Sequence, residues 1–183
     1  MRIISGIRRG KKLVAPAGLE TRPTLDRVKQ IIFDSIQFEI ADKRALDLFC
    51  GSGQLGLEAL SRGAAFCVFN DASEKALAVA RQNILACGFE KNARLTCNFY
   101  ENCVTILKSM PKTQLVFLDP PYHTGLLAGA ISALLSADVL APGAILVCEH
   151  GSDETVAVPE GFFVRKSKKC GEVSLTVLQE KTA

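Results

Sequence analysis

A chain of 183 residues that is 48% hydrophobic and 22% charged can bury one substantial core, which excludes a disordered tail or linker. Seven cysteines, an odd number with no C-x-x-C pair, argue against a disulfide framework or a zinc site and for reduced, mostly buried thiols. Net charge is only +3, yet residues 1 to 30 hold eight Lys/Arg against two acids. That local excess, with a second basic cluster at Arg165-Lys166-Ser167-Lys168-Lys169, suits either a polyanionic partner or plain solvation. The amino terminus is basic without the apolar stretch of a secretory signal, so the cytoplasm is the expected compartment.

In chain order, Arg2 to Ser5 and Lys11 to Val14 read as short strands about the turn "IRRG", and Pro16 to Arg22 as a linker. In "RPTLDRVKQIIFDSI" the apolar residues Leu25, Val28, Ile31, Ile32 and Ile36 fall at helical spacing, with Thr24 as the cap. From Ala45 the pattern alternates. A strand (ALDLF), a glycine turn and a helix over 54–62 are followed by a strand (AFCVFN), a helix over 73–87 and a strand (ARLTC). A short helix over 101–109, a strand ending at Asp119, a helix over 125–136 and a strand over 144–149 complete the series. Such repetition calls for a parallel sheet covered by helices. Beyond Gly151, "FFVRKSKKCGEVSLTVLQ" reads as an antiparallel edge hairpin. The uncharged run 120–137 has the length of a membrane span but carries two prolines, a His and several Gly, Ser and Thr residues, so it is read as a loop and a buried helix. The domain expectation is one unit over 1–183, with 1–23 as a basic hairpin extension and 24–183 as helix plus core.

Doubly wound sheets bind ligands at the carboxyl ends of their strands. At the first of these ends, "ALDLFCGSGQLGLEAL" sets Gly51, Gly53 and Gly56 in the pattern G-x-G-x-x-G, and Asp71 ends the second strand where ribose hydroxyls would lie. NAD and S-adenosylmethionine both contain adenosine, so these features do not choose between them. Asp47 does help. A carboxylate four residues before the first glycine is unwelcome beside a pyrophosphate and suited to the ammonium of a methionine moiety.

The stretch "LVFLDPPYHTG" carries the rest of the chemistry. An exocyclic base amine is a poor nucleophile because its lone pair is delocalised into the ring. Acceptors that hold its hydrogens correct that, and the Asp119 carboxylate and Pro120 carbonyl are candidates. Pro120 and Pro121 fix φ and remove two N–H donors, so the turn presents acceptors in a rigid frame. Tyr122 offers a ring for an extruded base, worth roughly 1–3 kcal/mol.

Together the glycine loop "LDLFCGSGQLGLEALSRGA", the "LDPPY" turn, and the leading "RIISGIRRGKKL" and "TRPTLDRVKQIIFD" resemble the RsmD-type 16S rRNA guanine-N2 methyltransferases, from Arg2 to about Gln179. The resemblance implies a Rossmann-like class I S-adenosylmethionine-dependent methyltransferase: α/β, with a seven-stranded, mostly parallel sheet, an antiparallel edge hairpin, and a short N-terminal hairpin and helix. It implies S-adenosylmethionine as donor and a guanine of 16S rRNA, within an assembled or assembling 30S subunit, as acceptor. By matching position, Asp119, Pro120, Pro121 and Tyr122 are catalytic. Asp47, Gly51 and Gly53 would line the methionine end of the cofactor and Asp71 would hold its ribose. Arg22, Thr24 and Arg27 match the motif that closes the cofactor site or meets RNA, and Arg8, Arg9, Lys11 and Lys12 match the RNA-binding extension.

This chain departs from its relatives at two positions. Asn98 stands where many have an acid facing adenine, and Cys50 where a small residue, usually Ala, is expected; the thiol fits and adds an expected sensitivity to oxidation. His123 reads as an exposed loop residue that could assist proton removal, and His150 as a surface or strand-end residue. Phe99 and Tyr100 would flank adenine or join the core, and Glu149 is ambiguous. The remaining readings are an amino methyltransferase of DNA or another RNA, a silent rRNA-binding assembly factor and, more distantly, an NAD-dependent dehydrogenase. A monomer without metal or membrane is the default expectation.

Overall fold

The computed structural model describes residues 1–15 and 23–182, with side chains in the first helix from Arg27 onward. Seven strands form one sheet: β1 (Arg44–Asp47), β2 (Phe66–Asp71), β3 (Ala93–Cys97), β4 (Thr113–Leu118), β5 (Leu140–Gly151), β6 (Phe162–Cys170) and β7 (Val173–Glu180). Their order is β3-β2-β1-β4-β5-β7-β6. β1 to β5 run parallel, while β7 lies antiparallel between β5 and β6, as the edge hairpin predicts. The chain steps from the β3-β2-β1 side to the β4 side, so a crevice opens at the carboxyl ends of β1 and β4, where doubly wound folds bind ligands.

Alternation along each strand sorts the core into two layers. Ala45, Cys67, Phe69, Leu115, Phe117, Ile145 and Val147 point to one face and pack with α1 (Pro23–Ser35), α2 (Gln54–Ser61) and α3 (Glu74–Cys87). Leu46, Leu48, Val68, Val116, Leu118, Leu146 and Cys148 point to the other, under α4 (Tyr100–Leu107) and α5 (Leu126–Ser136). The uncharged run 120–137 is indeed a loop followed by α5. Among the described residues no helix is long and apolar enough to cross a membrane, and no His/Cys/Asp/Glu group is arranged to hold a metal.

Local chemistry sets the element ends. α1 starts with Pro23, whose missing N–H is no loss in a first turn, so Thr24 lies inside the helix instead of capping it. Ser73 caps α3 by accepting from the Ala76 N–H at 3.3 Å. β5 begins four residues earlier than the apolar run suggests, because Leu140 pairs with Thr113 across an irregularity before regular pairing starts at Leu115 and Ile145.

The amino-terminal extension departs from the expected strand pair. Only Arg2 and Lys12 form a bridge, with Ile3 N–H donating to Lys11 O and Gly10 N–H to Ile3 O, both at 2.9 Å. The cause is Glu58 on α2. Its fully buried carboxylate accepts from Ile4 N–H at 2.7 Å and Ser5 N–H at 2.9 Å, taking donors that a second strand would need. Arg62 Nε at 2.8 Å and Lys29 Nζ at 3.7 Å neutralise it. Gly6–Arg8 then closes in one 3₁₀ turn.

Candidate active site

The glycine loop follows β1 directly. Gly51 and Gly53 adopt φ of +50° and +79°, which non-glycine residues rarely reach, and Gly53 N–H donates to Cys50 O at 2.6 Å. Gly56 has a different job. A Cβ there would sit 2.3 Å from the Phe69 ring, so only glycine lets α2 lie this close to β2. At Gly51, in contrast, a Cβ would meet nothing within 4 Å, and the loop presents bare backbone to the crevice.

Two carboxylates hold this loop. Asp47 Oδ2 accepts from Gly56 N–H at 2.9 Å, and Asp71 accepts from Gly51 N–H through Oδ2 and Ser73 N–H through Oδ1, both at 2.9 Å. Asp71 is half-exposed, whereas Asp47 is only 1% exposed and lies beneath the loop. Burial raises Asp47 to about 7, opposed by the Gly56 N–H and assisted by the negative Asp71. Buried Asn70 ties three strand ends together, donating to Leu48 O at 3.1 Å and Asn98 O at 3.0 Å and accepting from Thr96 Oγ1 at 2.9 Å. It is a framework residue that the motif search missed, because its only sequence signal is an amide at a strand end.

Asn98 is half-buried beside Asp71, to whose carbonyl its N–H donates at 3.1 Å. Phe99 next to it is 71% exposed, which removes the core-packing reading, while Tyr100 packs against Phe49 at 6.2 Å between ring centroids. At Cys50, burial and the negative Asp47 and Asp71 push the thiol well up, away from the reactive thiolate.

The Asp-Pro-Pro-Tyr turn leaves β4 one strand away. Leu118 pairs with Cys148, so Asp119 and Glu149 emerge side by side from parallel neighbours. Asp119 makes no side-chain hydrogen bond among the described residues, and burial, the Glu149 charge and the Asp47 charge hold it well above the usual carboxylate range. Glu149 is 7% exposed; burial raises it too, and the Tyr122 hydroxyl, donating to Oε1 at 2.8 Å, pulls it partly back. Pro120, Pro121, Tyr122 and Glu149 form one wall of a cleft of about 460 Å³, with the apolar face of α5 and the 154–159 loop opposite.

Both histidines lie nearby. Exposed His123 has φ +60°, its N–H donates to Glu154 Oε1 at 3.0 Å, and its ring faces Asp153 at 3.6 Å, so it fastens the turn to the loop after β5. His150 is buried, against the surface reading. Its ring bonds Gly151 O at 3.0 Å and Thr176 Oγ1 at 2.9 Å, joining β5 to β7.

Of the basic residues, Arg8 is anchored away from this crevice. Arg8 sits at the far end of the sheet, where its N–H donates to Ser61 Oγ at 3.0 Å and its guanidinium donates to Cys87 O and covers Phe89. Arg9, Lys11, Lys12 and Arg27 are exposed. Arg22 and the Thr24 side chain lie outside the described residues.

The sequence profile of the family described as Conserved hypothetical protein 95 matches residues 1–179. Ribosomal RNA small subunit methyltransferase D of Haemophilus influenzae is 35% identical over 184 residues, covering 98% of this chain and 93% of its own. The Escherichia coli protein of the same name is 36% identical over 184 residues, covering 98% and 89%. Among solved structures, the "Putative methyltransferase yhhF from Escherichia coli" superposes with a TM-score of 0.86 at 31% identity, over 100% of this chain and 99% of that one. With a class I methyltransferase sheet and relatives matched over nearly their full length, the chain belongs to the RsmD-type family of rRNA methyltransferases.

Proposed function

We propose that the protein transfers a methyl group to the exocyclic N2 of a guanine in 16S rRNA, presented in an assembled or partly assembled 30S subunit. The observation that carries this reading is the Asp119-Pro120-Pro121-Tyr122 turn. It leaves β4 beside the glycine loop of β1, and its carboxylate has no hydrogen-bond partner among the described residues.

The residues at the crevice fit the cofactor. The open backbone at Gly51, with the turn that Gly53 completes, would cradle the methionine end, and Asp47 supports the loop from below through Gly56. Asp71 has spare lone pairs for ribose hydroxyls, and Asn98 with the exposed Phe99 ring would take adenine. Bound S-adenosylmethionine supplies a methyl on a positive sulfonium, which becomes a neutral thioether as the methyl carbon bonds to nitrogen.

The protein's own part is to position and polarise the amine. The Asp119 carboxylate and Pro120 carbonyl accept its two hydrogens, turning the lone pair out of ring conjugation and towards the methyl. The proton released at N2 passes to Asp119 and then to water. Asp119 must be ionised to act and is held above the ordinary carboxylate range, so the acidic limb of the activity profile should lie at higher pH than the ordinary carboxylate value of about 4.

RNA would be held by exposed Arg9, Lys11, Lys12 and Arg27. The eight residues of α2 span about 12 Å between the crevice and the tip of the extension, so one structured RNA reaches both. The test is tritiated methyl transfer to small subunits lacking the modification, with nucleoside analysis. N2-methylguanosine in the subunits, reduced about 10²- to 10³-fold in Asp119→Ala, is the expected result. Label in DNA or as N6-methyladenosine would refute the ribosomal guanine, and no label anywhere would point to a silent binding factor.

A further inference from the structure

We propose that Glu149 is the residue that selects guanine, by accepting the N1–H of the base whose N2 amine Asp119 holds. The inference rests on the function proposed above and adds the source of its base specificity. The three bases with an exocyclic amine differ at the neighbouring ring nitrogen. Guanine carries a hydrogen at N1, beside N2, whereas adenine N1 and cytosine N3 are bare lone pairs beside their amines. One carboxylate accepts from the amine of any of them. A second, at the adjacent ring nitrogen, welcomes guanine and repels the other two, because an ionised carboxylate only accepts hydrogen bonds.

The structure supplies that second carboxylate. Leu118 and Cys148 are register partners on parallel β4 and β5, and the residues that follow them are Asp119 and Glu149. Glu149 is 7% exposed, and it lines the same cleft as Pro120, Pro121 and Tyr122. Tyr122 donates to Oε1 at 2.8 Å, which orients the carboxylate, while nothing among the described residues donates to Oε2. That oxygen is not among the described atoms that are closed off from solvent without a partner, so it is open to a donor arriving in the cleft. A base donating N1–H would satisfy it while the Tyr122 ring stacks beneath. Both acids are raised by burial, and Asp119 also by the neighbouring Glu149 charge, so donors brought by the base would relieve both.

A single analogue separates this from a structural role. 2-Aminopurine keeps the amine at C2 but has a lone pair at N1. Small subunits reconstituted with guanine or 2-aminopurine at the methylated position would be assayed with wild type and Glu149→Gln, whose amide can donate to a bare N1. Wild type should favour guanine by about 10- to 100-fold in kcat/KM, and that ratio should collapse or invert in Glu149→Gln. A merely structural residue would lower both substrates together. Equal use of the two bases by wild type, which needs no variant to fold, or an unchanged ratio in Glu149→Gln would overturn the assignment alone. Absence of N2-methylguanosine from wild type on guanine subunits would overturn the underlying function with it.

Discussion

The two halves of the crevice treat their carboxylates differently. On the glycine-loop side, Asp47 and Asp71 receive three backbone N–H groups between them and fix the path of the loop. On the turn side, Asp119 and Glu149 share one donor, the Tyr122 hydroxyl. The first pair is committed to architecture before any ligand arrives, and the second is held in reserve for one. The same residue type therefore does opposite work, depending on whether backbone donors are aimed at it.

The sharpest challenge to this contrast is Asp47→Asn. Asp47 has its ordinary value near 3.8 when unfolded and about 7 when folded. An acid raised by folding contributes stability that is complete below the unfolded value and is lost as pH rises through the folded one. The asparagine variant keeps an acceptor for Gly56 N–H and carries no buried charge. Its stability should match wild type near pH 4, pull ahead as pH rises, and hold a constant lead above about pH 7, on the order of 4 kcal/mol. Parallel melting curves at every pH would show that Asp47 is not held protonated by burial. The contrast between the two pairs would then lose its energetic basis on the loop side.

A smaller effect probes the turn side. Tyr122→Phe keeps the ring for stacking and removes the one donor to the Glu149 carboxylate among the described residues. That hydrogen bond pulls Glu149 down, so without it Glu149 rises further, and the acidic limb of the kcat/KM profile should move to higher pH. The titratable groups around Glu149 are Asp119 on the neighbouring strand end, buried His150 next to it in the chain and Glu154 on the loop across the cleft. At neutral pH the loss should be about 10- to 100-fold in kcat/KM, the worth of one hydrogen bond to a charged group. A profile displaced in height but not along the pH axis would mean that the hydroxyl serves packing alone.

How much of this could be read beforehand divides along the same line. The alternation of strands and helices, the glycine loop, Asp71 and the Asp-Pro-Pro-Tyr turn were legible because each depends on local pattern: period, φ preference or a missing donor. Glu149 was ambiguous because its meaning depends on which strand lies beside β4, and that pairing joins residues 118 and 148. The amino-terminal extension looked like a hairpin, since its apolar alternation is that of two strands. The competing acceptor, Glu58, is more than 50 residues away in the chain. His150 does stand at a strand end, but its burial was hidden for a similar reason. Its partner Thr176 lies on β7, and nothing near residue 150 reveals that an antiparallel strand will cover it.

The smallest predicted effect concerns the cations farthest from the chemistry. If Arg9, Lys11 and Lys12 each neutralise a phosphate, replacing all three with Ala should flatten the dependence of log K on log salt by about 2, at roughly 0.7 per contact. The change in kcat at saturating subunit should be slight, because none of the three approaches Asp119. Arg8 is expected to behave otherwise. Its guanidinium already bonds Cys87 O and covers Phe89, so Arg8→Ala removes a tie between the extension and α3 as well as a charge. Subunit-binding titrations at several salt concentrations, paired with thermal melts, separate the two. The triple variant should change the slope at constant stability, and Arg8→Ala should lower the melting temperature. The reverse pattern would mean that the extension meets RNA through its anchored residue, and that its exposed cations serve only solubility.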